Sequence, residues 1–223
     1  MISRNVALIL AAGRGSRLGG KLPKQYLKIS NKPILTLTIN RFLQNKNIDL
    51  VQVIINEHDV NLYSSLKLKP HPKLLPYVIG GDERFDSARI GLENLAKYNP
   101  DKVLIHDGCR PFVSDRIIED VVLGLDRHDC VIPVVKVTDS LKNVKQGVII
   151  SSIDRENIYC AQTPQGIKFT RAIKLYRNSA ESFTDDASIF EISGIKAHTV
   201  PGSGKNIKIT TPEDIELAKI LEE

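Results

Sequence analysis

Runs of apolar residues alternate along this chain with segments in which apolar positions recur every three or four residues. The first run, residues 6–12, is too short to cross a bilayer and stops at Gly13, so it predicts a buried parallel strand that ends in a loop. Similar apolar runs lie at 50–55, 77–79, 102–105 and 129–135. We therefore predict an α/β fold: a Rossmann-like, mostly parallel twisted sheet with helices on both faces.

This alternation stops between residues 138 and 162, where no crossover helix fits. Short strands that turn at residues 146–147 are the simpler interpretation, so the segment predicts an antiparallel β-arm that projects from the sheet. The apolar triplet at 148–150 would be exposed on such an arm, and a second subunit could cover it. We expect a single domain over residues 1–223 that carries this arm.

Composition narrows the class of protein. The chain has 223 residues, 42% of them hydrophobic, and can bury a large core. Its net charge of +5 suits anionic partners, but 31 basic residues mix with 26 acidic ones, so nucleic-acid binding is the weaker interpretation. Cys109, Cys130 and Cys160 lack C-x-x-C spacing, which favours neither disulfides nor a zinc site. No signal peptide or transmembrane segment is visible, so we expect a cytoplasmic protein.

The loop after the first strand is rich in glycine and basic residues, and it contains no carboxylate between Gly13 and Lys24. Glycines present bare N–H groups and cations neutralise a multiply charged guest, so this composition favours a polyphosphate. An ordinary glycine-rich turn with solvated charges is the alternative. Neither standard phosphate motif fits, because Leu18 replaces the third glycine of a dinucleotide fingerprint and Leu22 the Ser or Thr of a Walker A loop.

What remains is L-A-A-G-x-G-x-R at 10–17 followed by P-K-Q-Y at 23–26. This resembles the nucleotidyltransferase signature of sugar-nucleotide pyrophosphorylases and related enzymes, and the P-K-Q-Y ending resembles the polyol-phosphate cytidylyltransferase family. Six further elements follow in that family's order. They are G-G-x-x-R-x-x-S at 80–87, H-D-x-x-R-P at 106–111, T-D-S-x-K at 138–142, D-R at 154–155 with Q-T-P-Q at 162–165, T-D-D-A-S at 184–188 and N-I-K-I-T at 206–210.

The chain departs from the family pattern at three positions. Gly108 and Cys109 replace the two alanines of the usual H-D-A-A-R-P element, whereas the Asp and the Arg of that element are kept. Ser140 replaces a threonine in the T-D-T-x-K-like element, so a hydroxyl is kept and a methyl group is lost.

The resemblance implies transfer of a cytidylyl group from CTP to a polyol phosphate, with release of pyrophosphate. The acceptor it implies first is 2-C-methyl-D-erythritol 4-phosphate, which would give 4-diphosphocytidyl-2-C-methyl-D-erythritol in the non-mevalonate route to isoprenoid precursors. Ribitol 5-phosphate is the alternative acceptor. The resemblance also implies Mg²⁺ on the triphosphate and a homodimer formed through the 138–162 arm.

Individual roles follow from the same motif matches. For catalysis the resemblance implies Arg17, Lys24 and Lys208, which would surround the transition state. For the nucleotide it implies Ala11, Ala12, Gly13, Gly15, Gly81, Asp82, Ser87, Asp107 and Gly108, with Asp107 also expected to help hold Mg²⁺. For the acceptor it implies Arg110, Ser140, Arg155, Thr163, Thr184 and Asp185.

Several of these positions also have a purely structural interpretation. Asp86 or Ser87 could be a helix N-cap, as could Asp185 at the start of a short helix near the C-terminus. Asp107 could form a plain ion pair with Arg110. Lys208 could be the solvent-facing residue of a strand within 205–210.

Other classes of function stay open at this point. A nucleotide sensor could bind CTP without releasing pyrophosphate, and a basic module could bind nucleic acid in a salt-sensitive way. A longer, bifunctional parent chain is also compatible with the sequence.

Overall fold

The computed structural model describes residues 4–14, 22–179, 183 and 185–222. Its strands are β1 (Asn5–Ala11), β2 (Lys28–Ile29), β3 (Lys32–Pro33), β4 (Leu50–Ile55), β5 (Val78–Ile79), β6 (Lys102–Asp107), β7 (Cys130–Lys136), β8 (Leu141–Lys145), β9 (Val148–Ile153), β10 (Tyr159–Ala161), β11 (Gln165–Lys168) and β12 (Ala197–Pro201). Its α-helices are α1 (Ile34–Gln44), α2 (Val60–Ser65), α3 (Arg84–Leu95), α4 (Asp115–Gly124), α5 (Phe169–Asn178), α6 (Asp186–Ile192) and α7 (Pro212–Glu222).

Eight of the described strands form one mixed sheet. Its order is β10-β7-β11-β6-β1-β4-β5, and β12 also pairs with β7. The pairs of β1 with β4 and β6, of β4 with β5 and of β7 with β12 are parallel, whereas β10 and β11 run antiparallel to their neighbours. The predicted α/β fold with a mostly parallel sheet is therefore confirmed.

Strand β1 is buried on both faces, which explains its unbroken apolar run. Because successive side chains of a strand point to opposite faces, Ala7 and Ile9 pack in the layer that contains α1 and α4. Val6 and Leu8 pack in the opposite layer, which contains α3, α5 and α6. Fully burying one such aliphatic side chain stabilises the fold by about 1.5–3 kcal/mol, so both helical layers depend on this strand.

The predicted β-arm is present as a separate two-stranded sheet formed by β8 and β9. Gln146 and Gly147 connect the strands with φ angles of 50° and 80°, which are typical of a tight hairpin turn. Val148, Ile149 and Ile150 are 62%, 61% and 60% exposed. The hairpin is shorter than the 138–162 segment, because β10 pairs with β7 of the main sheet.

The segment that precedes α7 differs from the predicted secondary structure. Residues 205–210, for which alternation predicted a strand, are irregular, and that prediction is wrong. The Ile209 N–H donates to the Cys109 carbonyl at 2.9 Å and the Arg110 guanidinium donates to the Asn206 carbonyl at 2.8 Å, and these bonds hold the segment against the loop after β6.

In the described part of the chain, no helix combines the length and hydrophobicity needed to cross a membrane.

Candidate active site

The loops at the carboxyl ends of β1, β5 and β6 surround a cavity of about 170 Å³, called here the main cavity. Ligands of open α/β sheets settle at this edge. Its lining contains Ala11, Ala12, Gly13, Lys24, Gln25, Gly81, Asp82, Arg84, Ser87, Asp107, Cys109 and Lys208. Lys24 and Lys208, which are 184 residues apart in the sequence, therefore face one hollow.

The end of β1 is fixed by Gln25, a residue that the sequence analysis did not single out. Its side-chain amide is 2% exposed and donates hydrogen bonds to the carbonyls of Ala11 and Gly13, at 2.6 and 3.0 Å. Lys24 precedes it in a short 3₁₀ helix, so these two bonds also determine where Lys24 lies. The glutamine of P-K-Q-Y was the available signal.

The segment that contains Gly81 and Ser87 forms one wall of the main cavity. A side chain at Gly81 would place its Cβ 2.4 Å from the Cβ of Asp86, so only glycine lets the loop pack this closely on α3. Ser87 is buried, and its hydroxyl donates to the Gly81 carbonyl at 3.4 Å. The N-cap interpretation of Asp86 or Ser87 is wrong, because α3 already begins at Arg84.

The carboxylate of Asp107 lies among three cations at the end of β6. Lys208 Nζ is 3.0 Å and Arg110 Nε 3.2 Å from its Oδ2, and Arg84 Nε is 3.4 Å from its Oδ1. Burial alone would raise the pKa of Asp107, but Arg84, Lys208 and Arg110 together lower it well below its ordinary value. The carboxylate is therefore ionised at any pH at which the protein is expected to work.

The cations around Asp107 also affect whether this carboxylate could hold the expected Mg²⁺ ion. Both oxygens of Asp107 already lie against cationic side chains, and no group of three or more possible metal ligands occurs within the described residues. These residues do not form a Mg²⁺ site by themselves. A Mg²⁺ ion carried by the phosphates of a nucleotide, as the sequence analysis expected, stays a prediction.

A second, smaller hollow of about 120 Å³, called here the side cavity, adjoins this carboxylate. Its lining contains Arg84, Asp107, Arg110, Ala161, Gln162, Thr163, Gln165, Asp185 and Lys208. Arg84, Asp107 and Lys208 line both cavities, so the two hollows meet at this group. An anion in one cavity and an anion in the other would approach each other beside these cations.

Asp185 has a structural role that the sequence analysis had left open. Its Oδ1 accepts from the backbone N–H of Ser188 at 3.1 Å, so Asp185 is the N-cap of α6. Its Oδ2 accepts from the amide of Gln165 at 3.0 Å. The capping interpretation is confirmed, and because the residue also lines the side cavity, a contact to the acceptor stays a prediction.

His106 and Thr163 fix the backbone of Asp107 through a chain of hydrogen bonds. His106 Nε2 lies 2.9 Å from the Arg110 carbonyl, which can only accept, so this nitrogen carries the ring proton. His106 Nδ1 then accepts from the Thr163 hydroxyl at 2.9 Å, and the hydroxyl oxygen accepts from the Asp107 N–H at 3.2 Å. These bonds require a neutral ring. Burial lowers the pKa of His106 to about 4, although the bond to Arg110 opposes the shift.

The remaining predicted residues fall into three groups. Gly108 is buried behind the main cavity, where its N–H donates to the Leu10 carbonyl at 2.8 Å and a Cβ would lie 2.9 Å from the same oxygen. Ser140 and Arg155 are exposed near the base of the arm and line neither cavity. Gly15, Arg17 and Thr184 lie outside the described residues.

Comparison with known proteins identifies the family. The model of the family IspD, 2-C-methyl-D-erythritol 4-phosphate cytidylyltransferase, matches residues 5–223. The chain belongs to this family. Its members are nucleotidyltransferases, so the predicted family and enzyme class are confirmed.

Individual relatives agree with this assignment. The chain is 41% identical over 221 residues to the bifunctional enzyme IspD/IspF of Paramagnetospirillum magneticum, a match that covers 99% of this chain and 57% of that relative. The chain thus spans little more than half the length of the curated relatives it matches.

Solved structures agree as well. The 2-C-methyl-D-erythritol 4-phosphate cytidylyltransferase of Francisella tularensis superposes with a TM-score of 0.83 at 32% identity, covering 98% of this chain and 100% of that one. The 4-diphosphocytidyl-2C-methyl-D-erythritol synthase of Anaerococcus prevotii gives 0.86 at 29% identity, covering 99% and 97%.

The buried neutral imidazole of His106 predicts a pH dependence of stability. Its folded-state pKa of about 4 lies below the ordinary value of 6.5, so unfolded chains bind a proton first as the pH falls. The contribution of neutral His106 to the free energy of unfolding, about 3 kcal/mol in total, is complete above about pH 7 and is lost between about pH 6.5 and 4. The free energy of unfolding, measured in urea at several pH values across this range, should depend less steeply on pH in His106→Asn than in wild type. Equal slopes would contradict the assignment, and His58→Gln, at an exposed histidine, is the control.

Proposed function

We propose that this chain transfers the cytidylyl group of CTP to 2-C-methyl-D-erythritol 4-phosphate, forming 4-diphosphocytidyl-2-C-methyl-D-erythritol and pyrophosphate. Family membership supports the substrates. The observation that carries the proposal is the meeting of two cavities at Asp107 and Lys208, with Lys24 and Arg110 facing them from either side. Such a site suits two phosphorylated molecules that must react with each other.

CTP occupies the main cavity in this proposal. The cytosine lies against the segment that contains Gly81, Asp82 and Ser87, whose backbone and hydroxyl groups can read the edge of a base. The triphosphate extends toward Gly13 and Lys24, at the carboxyl end of β1. Arg17 and Gly15 are proposed to help hold it, by the motif match alone.

The acceptor occupies the side cavity. Arg110 and Lys208 face its phosphate, and Thr163 and Asp185 lie near its hydroxyl groups. The Thr163 hydroxyl already bonds His106 and the Asp107 amide, so its main contribution is to hold Asp107 in place. Thr184 is proposed here on the motif match.

The reaction is an in-line displacement at the α-phosphorus of CTP. A phosphate oxygen of the acceptor forms the new P–O bond, and the bond from the α-phosphorus to the pyrophosphate oxygen breaks. The second ionisation of a phosphate monoester lies near pH 6, so the attacking oxygen is already deprotonated and no general base is required. The task of the site is to align two anions and neutralise their charge.

Lys24 and Lys208 provide this neutralisation. The ion pair with Asp107 fixes the ammonium of Lys208 in advance, which lowers the cost of ordering it when substrate binds. Mg²⁺ would contribute further charge neutralisation on the triphosphate; the protein atoms described here do not complete its coordination.

The substrates are tested by measuring pyrophosphate release with CTP and Mg²⁺. We expect rapid release with 2-C-methyl-D-erythritol 4-phosphate, and much slower release with ribitol 5-phosphate or without an acceptor. A preference for ribitol 5-phosphate would make that compound the acceptor and would leave the proposed reaction class unchanged. Binding of CTP with no release for either acceptor would instead indicate a nucleotide sensor.

The cations are tested by Lys24→Ala and Lys208→Ala. Each change removes one contact to the reacting phosphates, so kcat should fall about 10²-fold, or about 3 kcal/mol. The melting temperature of Lys24→Ala should stay close to wild type, whereas that of Lys208→Ala should fall, because this change also removes one of the three cations that compensate buried Asp107. Lys219→Ala, which removes an exposed lysine paired with Glu216 on α7, is the matched control. Near-normal turnover of either test variant would remove that lysine from the mechanism.

We also propose that the arm forms a homodimer and that the reaction takes place in the cytoplasm. Exposure of residues 148–150 on the β8–β9 hairpin supports an interface there, since contiguous exposed apolar patches mark association sites. In this arrangement Ser140 and Arg155 approach the neighbouring subunit's acceptor. The free thiols of Cys109, Cys130 and Cys160 are compatible with a reducing compartment.

Sedimentation velocity tests the dimer. Wild type should sediment as a dimer, and the triple variant Val148→Ser, Ile149→Ser, Ile150→Ser as a monomer, because both faces of the hairpin lose their apolar side chains. Leu123→Ser changes an exposed apolar residue of α4 and should leave the dimer unchanged. A monomeric wild type, or a triple variant that still dimerises, would contradict the proposal.

A further inference from the structure

Arg84 lies where the main cavity and the side cavity meet, and it lines both. Its guanidinium binds Asp186 through two parallel hydrogen bonds of 3.0 and 2.6 Å, and its Nε lies 3.4 Å from Asp107. A quarter of the side chain is exposed. The guanidinium is thus held rigidly by carboxylates while part of it faces the hollow.

The main partner, Asp186, is itself fixed from several directions. Its side chain is 1% exposed, and its Oδ1 also accepts from the hydroxyl of Tyr176 on α5. Its backbone N–H donates to the Gln165 side chain at 2.7 Å. A carboxylate so placed has little freedom, and the orientation of Arg84 follows from it.

Arg84 has hydrogen-bonding capacity left over. A guanidinium carries five N–H groups, and the bonds from Arg84 to described residues use three of them. Within the described residues, Arg84, Arg110 and Lys208 form ion pairs with Asp107 and Asp186, and a third carboxylate, Asp185, lines the same cavity. An additional anion beside Arg84 would use its free N–H groups.

We infer that Arg84 is a further binding residue for the α-phosphate of the nucleotide, with Asp186 and Tyr176 as its positioning residues. The inference rests on the proposed function. If the nucleotide fills the main cavity and the acceptor the side cavity, the phosphorus that joins them must lie at their junction. Arg84 lines that junction, and a planar guanidinium matches a phosphate group better than an ammonium does.

Tyr176 offers a way to test the positioning from outside the site. It is 1% exposed, lines neither cavity and stacks on Phe85 with ring centroids 4.8 Å apart. Tyr176→Phe keeps the stack and the volume and removes only the hydroxyl that bonds Asp186. Any effect on a ligand must then pass through Asp186 and Arg84.

The experiment compares the affinities of CMP and cytidine by calorimetry in wild type, Arg84→Lys, Tyr176→Phe and the double variant. CMP carries the α-phosphate and cytidine does not. We expect Arg84→Lys to lower the affinity for CMP about tenfold and to leave the affinity for cytidine unchanged, because lysine keeps the charge but lacks the paired N–H donors of a guanidinium. Tyr176→Phe alone should lower the affinity for CMP about threefold, and it should have no further effect when Arg84→Lys is already present.

Arg89→Lys is the matched control. It lies on the same helix, bonds Asp86 at 2.9 Å and lines neither cavity, so CMP affinity should not change. Equal losses of CMP and cytidine affinity would assign Arg84 a structural role only, and unchanged CMP affinity in Arg84→Lys would overturn the inference. Wild type that binds CMP but releases no pyrophosphate would overturn the proposed function and leave this inference standing.

Discussion

A single buried carboxylate, Asp107, organises the positive charge of this site. Without it, the side chains of Arg84, Arg110 and Lys208 would repel one another, since all three approach within 3.4 Å of its oxygens. The pKa of Asp107 stays low because these cations outweigh the effect of burial. Asp107, together with Asp186 as the main partner of Arg84, thus holds three positive charges in place before any substrate arrives, and phosphates can bind with little rearrangement.

The fold explains why Asp107 can do this. It is the last residue of β6, where it pairs with Leu10 of β1 on one side and donates its N–H to the Thr163 hydroxyl on the other, so its backbone is fixed on both sides. The parallel pairing of β1 and β6 brings their carboxyl ends to the same edge, where the glycine-rich segment begins. The neutral ring of His106 and the hydroxyl of Thr163 then hold the peptide of Asp107 from the layer beneath.

Local sequence pattern predicted much of this arrangement. The apolar run of β1 and the alternation that followed predicted the sheet, and motif matches predicted Lys24, Asp107 and Lys208 as neighbours. The partner of Arg84 could not be predicted, because Asp186 is 102 residues away and the pair depends on how α3 and α6 pack. The strand expected at 205–210 is absent for a similar reason: none of the described strands pairs with that segment, which is held by isolated contacts of Ile209 and Asn206.

A crystal structure with CTP bound tests the central claim most directly. We expect the base beside Ser87, the triphosphate between Lys24 and Lys208, and the α-phosphate next to the ion pair of Asp107 with Lys208. A nucleotide bound elsewhere, or a triphosphate that contacts neither lysine, would contradict the account.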